Sequence, residues 1–543
     1  MAERPQPVMS WRRPGAISAL GLAIAGGLLF LALASTGALM SVATGGGDSG
    51  SPPGYIRHVT IFTFGQAAAS ACLALMLALV TARACWRRAS DWRTGFILTA
   101  SFLPVVMPTT VAATGIIGVW GQKGLISGLA TFLGLPPLPP VYGLGAVLLA
   151  HVFFNAPLML RVLSGALAGI PESQWRLAAQ WGLTGWQRFL FIEWPAMRRV
   201  VPGLLALVFL LCFTSFSLIL MLGGGPSVTT LEVSIYTALR FEFNMALAGR
   251  LALLQLAVCS GVVVLLTCVT GRSWSASANR QRPIRQRGDT ATATRLTDAA
   301  VLLVFIVITA GPVIAILLRG IGPHLLSVLA WPSFWRATLT SIAIALASGL
   351  IATLVALLLA TARTRRHAAG LSLWPLDLAI SLYLAVSAIV LGTGLFILLR
   401  TVADVFVLAP GLVVLGNMLV ALPFAYRVLE GRLAALAARH DKLCAAMGLR
   451  GWARFRIVTL PAIAGDLGFA AGLSSALSLG DMTIIALFGS QQFQTLPWLL
   501  YQTMARYRAG EAAALALWLL ALTLCLFALF TLASRRFGGH RHA

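Results

Sequence analysis

The chain has 543 residues, of which 59% are hydrophobic and only 10% charged. A soluble protein averages about 25% charged residues, so this is a membrane composition. The formal net charge of +24 would suit nucleic acid, but the arginines fall in short clusters between apolar runs and not along one soluble face, which argues against that partner.

The chain opens with Arg4, Arg12 and Arg13 in a short basic segment, residues 1–14, followed by an apolar run from Gly15 to about Leu39. A secretory signal core spans only about 7–15 residues, so this longer run is expected to be a retained first span. The GGGDSGSPPG stretch after it reads as an external loop. A bilayer core needs about 20 apolar residues per helix. Further runs of that kind fall near 59–80, 95–119, 143–160, 201–222 and 250–271. A polar linker at 272–298 separates them from runs at 299–318, 337–361, 375–399, 411–427, 463–488 and 512–533, with a short tail at 534–543. The expectation is an all-α membrane protein of twelve spans, six in a first half (15–271) and six in a second (299–533). Of the 40 lysines and arginines, 31 lie in segments on the N-terminal side of the membrane and 9 on the other. Positive charge collects in the cytoplasm, which places both termini there. An even number of spans per half makes the halves parallel repeats about an axis along the membrane normal.

The duplication is visible directly. Residues 171–196 (PESQWRLAAQWGLTGWQRFLFIEWPA) return at 437–462 (AARHDKLCAAMGLRGWARFRIVTLPA). At an offset of 266, Gly182 meets Gly448, Gly185-Trp186 meets Gly451-Trp452, Arg188-Phe189 meets Arg454-Phe455, and Pro195-Ala196 meets Pro461-Ala462. Such internal repeats dictate architecture. Pro171 and Glu172 suit a helix start. The spacing predicts a short helix to about Trp181, a break at Gly182 and Gly185, and a second short helix that carries Phe189 and stops before Pro195. One copy alone would read equally as an amphipathic linker under the bilayer. Two copies with the same Gly–Phe–Pro spacing favour a docking surface for two equal partners.

Other chemistry is sparse. The only lysines are Lys123 and Lys442, and neither closes a phosphate-binding loop. The seven cysteines are odd in number and show no Cys-x-x-Cys or metal-like spacing, so they read as small buried residues. No nucleophile–base pair or metal site is assembled, so no catalytic residue and no metal ligand is expected. Asp481 is the one carboxylate well inside an apolar run, joined by His151, while Asp377, Asp466 and Glu511 lie near run ends. A proton-coupled carrier needs more buried ionisable groups than this.

The segments Gly182…Phe189…Pro195 and Gly448…Phe455…Pro461 resemble the EAA loop of ATP-binding-cassette importer permeases. The resemblance implies a type I importer fold (MetI-like) with both permease halves fused in one chain. It implies a bacterial inner-membrane location, and docking of each loop on one of two copies of a cytoplasmic ATPase that itself uses ATP. This chain would bind no cofactor. The sequence departs from the family at the eponymous acid, where Arg176 and Lys442 stand, so that acid's salt bridge is not carried over. The stretches at 151–158, 222–243 and 478–508 are similar to the thiamine permeases of this family, which implies a periplasmic thiamine-binding protein as partner. The same architecture importing iron(III) is the alternative, and an ion-coupled carrier a more distant one. For the substrate pathway the candidates are Asp481, Phe216 and Tyr501. Aromatic side chains can stack on a cationic ring and a lone acid in a span can favour a cation. The competing readings are interfacial or core aromatics, and an aspartate that hydrogen-bonds a broken helix turn after Gly480. Asp481 maps onto Ser215 in the first half, so it breaks the pseudo-symmetry.

Overall fold

The computed structural model describes residues 16–45, 54–88, 92–101, 103–137, 139–270, 292–400, 402–449 and 451–538. The expected N-terminal segment 1–14, most of the outer loop after the first run, the linker up to residue 291 and the end of the C-terminal tail lie outside them.

Regular structure among the described residues is helical throughout. Before the linker come α1 (Ala16–Gly45), α2 (Tyr55–Arg87), α3 (Thr109–Trp120), α4 (Leu144–Ala168), α5 (Glu172–Gln180), α6 (Val201–Phe213), α7 (Ser217–Leu222), α8 (Leu231–Arg240) and α9 (Met245–Thr270). After it come α10 (Thr292–Gly320), α11 (Pro332–Ala368), α12 (Trp374–Ala385), α13 (Ala388–Leu399), α14 (Val405–Ala446), α15 (Leu460–Gly480), α16 (Thr483–Phe488), α17 (Leu496–Ala505) and α18 (Ala509–Gly538). Shorter helical segments, among them Trp92–Ala100, Leu125–Phe132 and Pro323–Leu329, lie in the remaining connections.

Nine helices among the described residues are long and apolar enough to cross a membrane, and two bent pairs bring the number to eleven. Several expected spans are interrupted. The run at 95–119 breaks around Pro104 and Pro108, because proline cannot donate the backbone bond that would carry the helix through. In the run at 375–399 the chain turns by 97° between Trp374–Tyr383 and Ala388–Leu399. Ser387 caps the new helix there, accepting from the Val390 N–H at 3.3 Å. The run at 201–222 breaks at Thr214–Phe216, and that at 463–488 at Asp481–Met482. Backbone groups freed at membrane depth are tolerated only where protein buries them. Around these breaks Phe213, Phe216, Leu479 and Met482 are buried.

The packing is crossed. α2 packs on α4 and α6, and α11 packs on α14 and α15. α1, however, lies against α11, α12 and α13, while α10 lies against α2 and α3. Each opening helix therefore sits on the helices of the other part of the chain. Small residues make this possible, as they do generally where helices meet in a bilayer. A Cβ on Gly394 of α13 would stand 2.8 Å from the Ser35 Cβ of α1, and one on Gly115 of α3 would stand 2.6 Å from the Pro312 carbonyl oxygen of α10. The apolar core runs continuously across these contacts, from Leu39 and Phe213 to Ile389 and Phe488.

Candidate functional site

The two copies of the repeated loop form matching elbows. α5 ends in a Schellman arrangement: the Gly182 N–H donates to the Ala179 carbonyl at 3.2 Å and the Leu183 N–H to the Ala178 carbonyl at 3.1 Å. The second copy repeats it, with Gly448 donating to Ala445 at 3.2 Å and Leu449 to Cys444 at 2.9 Å. Gly182 has φ +62° and Gly448 φ +67°, the left-handed geometry that this cap requires and glycine alone adopts freely. Thr184 then opens the next turn with a capping box: its N–H donates to Gln187 Oε1 at 2.9 Å, and the Gln187 N–H donates to Thr184 Oγ1 at 3.4 Å.

In each copy the tryptophan that follows stacks on the phenylalanine three residues on. The Trp186–Phe189 and Trp452–Phe455 ring centroids are both 5.3 Å apart. Phe189 and Phe455 are half-buried, whereas Trp186 and Trp452 are 67% and 71% exposed, beside exposed Trp181, Leu443 and Met447. Each elbow thus presents a firm apolar knob.

Two expectations about the elbows need correction. The second short helix does not stop before Pro195. The chain stays helical through a π turn at Phe189–Glu193 and into Trp194–Met197. Phe455–Thr459 does the same before Pro461 in α15. The wider turn shifts the bonding register, and each proline sits in the first two positions of the next segment, where its missing N–H costs nothing. Also, only the first copy has a separate leading helix. α14 runs from inside the membrane to Ala446 without a break, because Ala435 and Ala437 stand where the first copy has Gly169 and Pro171. Arg176 and Lys442, at the position of the family acid, are both exposed. Arg176 pairs with Glu172 one turn back at 2.6 Å.

The pathway candidates lie at the helix breaks. Asp481 lies two residues before Thr483, the first residue of α16, and its carboxylate accepts from the Thr483 N–H at 3.2 Å and the Ile484 N–H at 3.1 Å. It caps the restarted helix, the geometry of the competing reading. Phe216, at the matching break, is buried and meets Tyr236 of α8 edge-on at 5.2 Å. Tyr501 in α17 packs on Trp498 at 5.3 Å and borders the same apolar cluster that holds Phe216 and Tyr236. Tyr236 is the residue that matches Tyr501 at an offset of 265. Among the described residues, no hydrogen bond, ion pair or ring contact joins Asp481 to this cluster.

Among the described residues, Glu193, Glu232 and Asp298 are buried carboxylates that the reading of the sequence missed. Glu232 in α8 is 1% exposed and accepts a hydrogen bond from Gln255 of α9, whose amide also donates to Ser387 of α13 at 3.1 Å. The stretch from 222 to 243 reads as an external connection because of its Gly-Gly-Gly-Pro start. The signal was the spacing of Leu231, Ile235, Tyr236 and Leu239, a helical face that had to be buried.

Sequence relatives show the family to which the chain belongs. The chain is 39% identical over 523 residues to the thiamine transport system permease protein ThiP of Brucella abortus, covering 95% of this chain and 96% of that one. It is 38% identical over 546 residues to ThiP of Salmonella typhimurium, covering 99% of both. The ferric transport system permease protein FbpB of Actinobacillus pleuropneumoniae matches far less, at 29% identity over 148 residues, 27% of this chain. No family model matches the chain. With more than a third of its residues identical over nearly the full length of these relatives, the chain belongs to the family of thiamine transport system permease proteins.

Proposed function

We propose that this chain is the membrane permease of an ATP-binding-cassette importer through which thiamine crosses the bacterial inner membrane. The full-length similarity to thiamine permeases carries this reading. The chain spans the membrane twelve times in two parallel six-span halves, with both termini cytoplasmic. The linker at 272–298 joins the halves. The crossed packing of α1 and α10 and the equal elbow geometry support the two-half reading. Each elbow docks on one copy of a separate ATPase subunit, through Gly182, Phe189 and Pro195 in the first and Gly448, Phe455 and Pro461 in the second. Arg176 and Lys442 lie on the docking helices. A periplasmic thiamine-binding protein delivers substrate to the opposite face.

Thiamine carries a fixed positive charge on its thiazolium. The aromatic cluster of Phe216, Tyr236 and Tyr501 offers ring faces to such a cation, and Asp481 supplies negative charge beside the matching helix break. Nucleotide chemistry belongs to the ATPase subunits. The test is purification of the chain with its ATPase and binding protein, and uptake of radiolabelled thiamine into phospholipid vesicles holding the complex. Accumulation of thiamine that needs ATP supports the reading. Uptake of iron(III) but not thiamine would move the chain to the alternative substrate, and uptake driven by an ion gradient without ATPase would overturn the class.

A further inference from the structure

The cytoplasmic ends of α2 and α11 carry the same three residues, Thr81-Ala82-Arg83 and Thr361-Ala362-Arg363. The two arginines serve different elements. Arg83 Nε donates to Glu193 Oε2 at 2.6 Å and Arg83 Nη2 to the Gly185 carbonyl at 3.2 Å. Its guanidinium lies 4.2 Å from the centre of the Phe189 ring. All three partners belong to the first elbow. The Glu193 side chain is only 2% exposed and accepts from Arg188 Nε as well, at 3.4 Å. One turn along α2, Trp86 stacks on Trp175 of α5 at 5.6 Å. Arg363 turns elsewhere. It donates to Asp377 of α12 and to Glu430 of α14, both at 2.7 Å, and neither acid lies in the second elbow. The position matching Glu193 is Thr459, which has no charge to offer.

The helices explain why the first elbow holds such a contact. In the second half, α14 continues as one helix from Val405 into the elbow, with no proline after Pro423, so a push on the elbow is passed along its backbone. In the first half that helix is cut between α4 and α5 at Gly169–Pro171, and a push on α5 is not passed on along the backbone. A two-point grip from α2, one bond to the buried Glu193 carboxylate and one to the Gly185 carbonyl, restores a stiff connection, because a charge pair with one partner buried resists separation more than a fully exposed pair does.

We propose that Arg83 and Glu193 form a strut that carries movement of the first elbow into α2, replacing the unbroken helix that does this in the second half. The two elbows are then mechanically unequal although they meet equal partners. This rests on the reading of the elbows as ATPase docking sites, and Arg83 and Glu193 are positioning residues in it.

The test uses the full chain reconstituted in phospholipid vesicles with its ATPase and binding protein. The variants are Arg83→Gln, Glu193→Gln, the neutral double variant with both changes, and the charge-keeping Arg83→Lys. Three quantities are read: ATPase retained on the chain, ATP hydrolysed, and thiamine accumulated per ATP. The neutral variants are expected to keep the ATPase bound and hydrolysing while thiamine per ATP falls about tenfold, within the range of coupling between sites. Arg83→Lys keeps the positive charge beside Glu193 and is expected to keep most of the ratio. The double variant removes both charges of the pair, and the amide oxygen that replaces the Glu193 carboxylate can still accept from Arg188, so it answers even where a single variant fails to insert. An unchanged thiamine-to-ATP ratio in it overturns the strut. Failure of the unaltered chain to retain any ATPase would instead sink the docking reading itself.

Discussion

Replacing Gly182 or Gly448 by valine separates backbone geometry from crowding at the elbows. Both glycines have positive φ, +62° and +67°, and a Cβ built on either meets nothing within 4 Å. Space is therefore not the constraint, and conformation is. A left-handed L-residue costs about 1–2 kcal/mol, and a β-branched one sits toward the upper end or above. Escape from that conformation also gives up the Schellman bonds of Leu183 and Leu449, each worth about 1 kcal/mol net. The local elbow should lose about 2–3 kcal/mol, which lowers its correctly folded share relative to alternatives by roughly 30- to 150-fold. Asparagine tolerates the left-handed region and should cost much less. Vesicle uptake and ATPase co-purification should fall in the order valine, alanine, asparagine for either elbow, with the protein still inserted in the membrane. Valine and asparagine variants of equal activity, with ATPase retained, would refute the geometric argument.

Three further outcomes are expected. Asp481→Asn keeps a capping oxygen and removes the charge, so it should slow thiamine uptake without releasing the ATPase; normal uptake would leave Asp481 a helix cap worth about 1 kcal/mol. A cysteine at Gln491 should react with an impermeant thiol reagent from outside, and one at Gly370 should not, with the reverse pattern contradicting the cytoplasmic termini. Ala437→Pro copies the first half's helix break into α14 without a strut to replace it. It should cut thiamine transported per ATP, while the same ratio in the variant would show that the unbroken rod is not needed.

What was legible in the sequence was local. The caps at Gly182 and Gly448 follow from glycine's freedom, and the start of α5 from Pro171 and Glu172, all within a few residues. The errors came from features whose cause lies elsewhere in the fold. The break at Thr214–Phe216 lies inside an apolar stretch with only Thr214 and Ser215 to mark it, whereas that at Asp481–Met482 is one of the two readings that Gly480 and Asp481 offer. Pro195 suggested a stop, yet a π turn absorbs it. The crossed seats of α1 and α10 depend on small residues hundreds of positions away, such as Gly394 for Ser35. α14's continuity had been written plainly in Ala435 and Ala437, but reading the second loop as a copy of the first transferred a break that only Gly169 and Pro171 justify.

A fused pair of halves is free to diverge wherever the two need not present the same surface. The elbows keep their positive-φ caps and a Trp–Phe stack of 5.3 Å in both copies, and these are the parts that face outward from the chain. Differences that bear on how each elbow joins its half are Glu193 against Thr459, Pro171 against Ala437, and an arginine that grips its elbow in one half and its neighbouring helices in the other. Under the proposed docking, two equal ATPase copies would constrain the outer geometry to stay equal. They would place no such demand on how each half conveys motion inward, and two different mechanical solutions would satisfy the same docking requirement. On this view Asp481 opposite Ser215 is one more such divergence, at helix breaks that face the chain's own interior and no repeated partner.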